Sequence, residues 1–107
     1  MNNQDAKADN GKVHYTYVPP ALLDGCVRVR EYGTRKYSDP LNWRKVEPQR
    51  YWEATLRHAR AAWDDYTKKD EESGLMHIEH MVCNLAFLLQ FIQEDIEKSE
   101  REMDCSK

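Results

Sequence analysis

Four side chains in the second half of the chain are of the types that hold divalent metals: His58, Asp65, His77 and His80. At about 100° per residue, His77, His80 and Asn84 share one helical face, which borders an apolar stripe rather than opposing it. His58 and Asp65 are seven residues apart and stack on one edge of an upstream helix, where Ala54, Ala61 and Ala62 leave room. Should these helices form a hairpin, three imidazoles and a carboxylate converge near its closed end. That is the donor set with which a helical bundle binds a divalent cation. A lone histidine at a core edge is ordinarily a hydrogen-bonded packing residue. Three of the chain's four histidines within one hairpin are what raise the metal reading. Beside them runs Asp70-Glu71-Glu72, in which Glu71 and Glu72 are the candidate catalytic carboxylates; the plainer reading is a solvated loop and a helix cap. Asn84 suits either a substrate contact or the fixing of a histidine tautomer. Glu79 is expected to point to solvent.

The elements that must position these groups follow from periodicity. Pro48 opens a helix whose Trp52, Leu56, Ala59, Trp63 and Tyr66 lie on one face. The polar run 68–74 breaks it, with Ser73 or a preceding acid placed to cap the next helix. That helix runs from 74 or 75 to beyond 96, with Ile78, Val82, Leu85, Leu89, Ile92 and Ile96 as its stripe. Upstream, Leu22, Leu23, Cys26, Val27 and Val29 predict a shorter helix over 20–32, opened by Pro20 and stopped by Gly33. His14 to Val18 is a short β-prone stretch. Residues 33–47 read as a loop with a turn at Ser38-Asp39-Pro40. Its Tyr37 and Trp43 either anchor the loop to the body or contact a ligand.

The expected fold is therefore all-α: an antiparallel hairpin of two long helices, a shorter N-terminal helix and an aromatic-rich loop. The long stripe is more than a monomer of this size covers, so dimerisation is expected to complete it. Residues 1–13 read as a disordered polar tail, 14–98 as a single domain and 99–107 as a frayed charged end. A net charge of -3 across 107 residues argues against general nucleic-acid binding. No apolar run approaches the ~18 residues of a membrane span, which points to a cytoplasmic protein. Cys26, Cys83 and Cys105 form no CxxC pair, so free thiols are expected. Cys83 lies toward the buried side of its helix and would be a poor thiolate beside His80. Glycine-rich phosphate loops, GxSxG and HExxH are absent from the sequence.

Taken together, Val-Arg-Glu-Tyr-Gly at 29–33, Lys36-Tyr37, Asn42-Trp43, Pro48, Arg50-Tyr51, Leu56-Arg57-His58, the run 70–75, His77, His80, Cys83-Asn84 and Phe87-Leu88 form a specific pattern. Over residues 17–92 it resembles a family found mainly in phages and prophages, the N-terminal domain of dATP/dGTP diphosphohydrolase. That family is similar to the all-α nucleotide pyrophosphatases of MazG type. The resemblance implies metal-dependent hydrolysis of a (deoxy)nucleoside triphosphate to monophosphate and pyrophosphate. It implies phosphate contacts from Lys36, Arg57 or Arg35 and base stacking on Tyr37 or Trp43, with Asn42 and Asn84 completing the candidate substrate contacts. MazG-type enzymes hold Mg²⁺ with two carboxylate pairs. This chain lacks that quartet, so Mn²⁺, Zn²⁺ or Fe²⁺ stand beside Mg²⁺ as candidate metals.

Two other readings compete. One is a non-catalytic phage protein that sequesters a nucleotide or inhibits a host defence enzyme. The other is a structural helical dimer whose histidines only pack.

Overall fold

Prolines open two of the helices. Pro20 and Pro48 each occupy a first helical position, where a missing N–H leaves no bond unmade. In the computed structural model, which describes residue 8 and residues 10–105, the helices are α1 (Pro20–Tyr37), α2 (Pro48–Ala61) and α3 (His77–Cys105). Most of the expected N-terminal tail lies outside the described residues. At the other end, α3 takes in residues 99–105 of the charged end as well. Single-turn 3-10 helices form at Tyr15–Tyr17 and Asn42–Lys45. Among the described residues no strand forms, so the β-prone segment near Tyr15 has nothing to pair with and folds as an exposed turn.

The helix α1 runs more than a turn further than its sequence suggests. Gly33 lies inside it, at a propensity cost of about 1 kcal/mol. The stop is Ser38, whose left-handed backbone (φ 64°) lets its N–H donate to the Thr34 carbonyl at 2.9 Å. This is the usual geometry of a helix C-terminus. The Asp39 carboxylate then accepts the Leu41 N–H at 2.9 Å and closes the turn. Pro40 has no N–H with which to resume the helix. The extra turn carries Lys36 and Tyr37 onto the helix rather than into a loop.

α2 is shorter than expected. The Asp65 carboxylate accepts both the Thr67 N–H (3.0 Å) and the Thr67 hydroxyl (2.6 Å), a local pairing that competes with helix continuation. Trp63 and Tyr66 consequently leave the apolar face and stand exposed. Residues 68–77 make a tight excursion instead. Lys69 bridges Met76, Asp70 N–H donates to the Leu75 carbonyl at 2.7 Å, and Gly74 takes φ +74°.

α2 and α3 are antiparallel: His58 meets His77 and His80 at one end, while Tyr51 meets Phe87 and Phe91 toward the other. The expected all-α hairpin is the observed fold. α1 packs on a different flank of α3, where Gly25 is buried against Glu79; a Cβ at that glycine would sit 3.3 Å from the Glu79 Cγ. Glu79 therefore corrects its sequence reading. It is buried, and Arg28 of α1 holds it through two N–H donors at 3.0 and 3.3 Å.

Candidate functional site

The closed end of the hairpin gathers the imidazoles. His58 projects from the last turn of α2, and His77 and His80 from the first turn of α3. The Nδ1 atoms of His58 and His77 are 2.8 Å apart, so one proton is shared between two rings. His58 and His80 stack with centroids 4.6 Å apart and planes within 6°. The 68–77 excursion delivers Asp70 beside them, its carboxylate accepting the Ser73 N–H at 3.0 Å. Ser73 does not cap α3: its hydroxyl lies 2.7 Å from His80 Nε2 and accepts the Leu75 N–H at 3.1 Å.

One donor atom from each of His58, Asp70 and His77 falls within 4.8 Å of the others. A four-coordinate site with ~2.0 Å bonds has donors about 3.3 Å apart, so these side chains would have to turn inward to hold an ion between them. Two imidazoles and one carboxylate leave coordination positions open, and the nitrogen-rich set suits Mn²⁺, Fe²⁺ or Zn²⁺ better than Mg²⁺. Electrostatics agree with that use. Burial first, then the neighbouring His80 and His77, push His58 down to about 4, and burial also lowers His80. Both rings are thus neutral, with lone pairs, at neutral pH. Burial works to raise Asp70, but the Ser73 N–H and the imidazoles hold it below the usual carboxylate range.

His58, Asp70 and His80 also line a cavity of about 680 Å³ between α1, α2, α3 and the Asn42–Lys45 turn. Lys36, Tyr37, Asn42, Trp43, Arg57, Asn84 and Glu72 line it too, as do Tyr32, Arg30, Lys45 and Arg50. Lys36 donates to Glu72 at 2.6 Å, and this bond, with the Tyr32 hydroxyl, keeps Glu72 ionised. Arg50 and Arg57 face the cavity without an ion pair among the described residues. Trp43 is largely engaged: Phe87 stacks on it at 4.8 Å and the Arg44 guanidinium sits 4.5 Å from its centroid. Tyr37 is the more exposed aromatic of the pair, with the Lys36 ammonium 5.4 Å from its ring.

Three sequence candidates are not brought to this place, and of these Arg35 lines no part of the cavity. Asp65 is exposed and bound to Thr67, and it does not join the histidines because α2 ends four residues before it. Glu71 is exposed and lines no part of the cavity. Sequence reasoning left out Asp70 as a ligand, although its position four residues before Gly74 is the signal of a tight turn. It also left out Tyr32, which the assumed stop at Gly33 cut off from the site. Cys83 is buried and pushed up to about 12 by burial and the adjacent Cys26. A thiol held that high is no nucleophile at neutral pH.

A family model described as dATP/dGTP diphosphohydrolase, N-terminal, matches residues 2–101. The chain belongs to this family. The match takes in α1, α2 and nearly all of α3, and with them the histidine cluster and every residue lining the cavity. No curated protein and no solved structure matches the chain. No helix among the described residues is long and apolar enough to cross a membrane.

Proposed function

We propose that the chain hydrolyses a deoxynucleoside triphosphate to the monophosphate and pyrophosphate, with a divalent metal held by His58, Asp70 and His77. The observation that carries this reading is the shared wall. His58 and Asp70 of a metal-type donor set line a cavity that also presents three guanidinium groups, those of Arg30, Arg50 and Arg57, none in an ion pair among the described residues. A triphosphate needs both, and 680 Å³ is within the range of small-ligand sites. The family description supplies the substrate class.

When bound, the metal would polarise a phosphoryl oxygen and lower the pKa of a water. The chain's own groups do the rest. Arg57 and Arg50 hold the phosphates, Tyr37 stacks on the base, and Asn42 and Asn84 supply polar contacts. Water adds at the α-phosphorus, its proton passes to the ionised Glu72 carboxylate, and the bond from the α-phosphorus to the pyrophosphate oxygen breaks. Lys36, already on Glu72, holds that carboxylate in place.

The test is a panel of dNTPs and NTPs with Mg²⁺, Mn²⁺ or Zn²⁺, the products separated by ion-exchange chromatography. Monophosphate and pyrophosphate from dATP or dGTP support the reading. Free triphosphate, or no turnover with any metal, overturns it; saturable nucleotide binding without turnover would instead mark a sequestering protein.

A further inference from the structure

With Arg50 and Arg57 on the phosphates, one guanidinium of the cavity is left without a task. Arg30 lines the wall and has no ion pair among the described residues. It is held in place by uncharged groups instead. Its Nη2 donates to the Pro40 carbonyl, and its guanidinium lies 5.4 Å from the centroid of Phe87, which itself stacks on Trp43. Its Nη1 lies beside Gly33. A Cβ built at that glycine would meet, beyond its own helix backbone and among the described residues, only Arg30 Nη1, at 4.0 Å.

Arg30, Gly33 and Tyr37 are spaced by three and then four residues. That spacing sets them on one face of α1, spread over about 10.5 Å of rise. All three line the cavity. The middle position is bare, and the fold does not ask for a glycine there. Gly33 has no positive φ, and no neighbouring element presses against it. Alanine would make the better helix. What glycine supplies is open wall: a strip of α1 without a side chain, between an exposed aromatic ring and a guanidinium fixed in advance.

We propose that Gly33 and Arg30 determine which base the cavity takes: the base stacked on Tyr37 extends across Gly33, and Arg30 donates to its edge. This rests on the reading of the cavity as a nucleotide site. The two-turn span suits a two-ring base. A guanidinium has donors and no acceptor, so it favours an edge made of two acceptors. A purine with oxygen at C6 presents that edge through O6 and N7. A purine with an amino group at C6 sets a donor against a donor. The preferred ligand is therefore a 6-oxopurine nucleotide. Guanine and hypoxanthine are treated alike, because Arg30 reads the edge they share and not the 2-amino group.

Equilibrium binding of dGTP, dITP and dATP to the full chain tests this without needing turnover. Wild type should bind dGTP and dITP equally, each about 10-fold more tightly than dATP. Gly33→Ala should melt about 4 °C higher, because a helix gains when it loses a glycine. It should nevertheless bind dGTP about 10-fold more weakly, because its methyl group takes up the wall. A purely structural glycine would give the higher melting temperature with affinity unchanged, and that result overturns the proposal. Arg30→Lys keeps the charge and loses the planar donors, so dGTP and dITP should fall to the level of dATP; should Gly33→Ala fail to fold, this variant decides. A wild type that binds dITP no better than dATP overturns the proposal, as does one that binds no nucleotide. The expected binding pattern without turnover sinks hydrolysis alone, whereas turnover with affinity unchanged in Gly33→Ala sinks the base reading alone.

Discussion

The two ends of the α2/α3 hairpin are built on opposite terms. At the closed end the polar groups answer one another: His58 to His77, His80 to Ser73, Ser73 to Asp70, Glu72 to Lys36. No buried side-chain nitrogen or oxygen among the described residues lacks a hydrogen-bond partner. Toward the open end apolar side chains are left uncovered, from Leu85 through Ile96, beside an exposed ion pair of Arg44 with Glu94. A single helix pair thus separates a polar site, nearly complete within one chain, from an apolar seam that is not. The same helical periodicity leaves a polar cluster at one end and uncovered apolar side chains at the other, depending on what the neighbouring elements cover.

That contrast can be broken at its strongest point first. His77→Ala removes a proposed metal ligand and a hydrogen-bond partner of His58. We expect turnover and metal affinity to fall by more than ~100-fold, beyond the range seen for groups that only support a ligand. Steady-state hydrolysis and a metal-binding titration measure the two losses, while the oligomeric mass should not change.

Acid comes next. His58 is held near 4 in the folded protein against an ordinary 6.5, so the unfolded chain takes up a proton where the folded one does not. Stability of the metal-free protein should therefore fall as pH drops from about 6.5 toward about 4, and be fully present above about 6.5. Discounted for the partial exposure of the ring, the loss is on the order of 2 kcal/mol. Urea midpoints across this range measure it, and bound Mn²⁺ or Zn²⁺ should flatten the upper part of the curve, where metal still outcompetes protons for the imidazoles.

Smaller effects separate the flanks of α3. Glu79→Ala removes the anchor of α1, but Arg28 is half-exposed and can be rehydrated. Loss of the buried carboxylate should cost about 1 kcal/mol by chemical denaturation. Asp65→Ala touches only the turn at Thr67. It should leave the urea midpoint nearly unmoved and hydrolysis unaltered, as surface substitutions usually do. A large loss of turnover in that variant would return Asp65 to the site.

Much of this architecture was legible in the sequence. The stripes on α2 and α3, the prolines that open α1 and α2, and the histidine face at the closed end all follow from spacing. What was hidden depended on tertiary or local competition. Gly33 reads as a stop, yet a cost of about 1 kcal/mol does not by itself end a helix, and the true stop is the Ser38-Asp39-Pro40 turn already visible downstream. The stripe through Tyr66 reads as helix, but Asp65 diverts the backbone through its own side chain. Glu79 lies off the apolar stripe and so reads as exposed; the reading fails because α1, not α2, covers that flank. Asp70 was seen only as part of an acidic run, because the left-handed Gly74 turn that swings it toward the histidines carries no periodic signal.

The most direct measurement is made on Asp70→Asn, the change that keeps the side chain's shape and removes its charge. Mn²⁺ binding by electron paramagnetic resonance and Mn²⁺-dependent hydrolysis of dGTP would be followed side by side in wild type and variant. We expect the wild type to bind the ion and release dGMP with pyrophosphate, and the variant to lose both together while remaining folded. Wild-type binding and turnover that persist unchanged in Asp70→Asn would contradict the assignment of the metal to His58, Asp70 and His77.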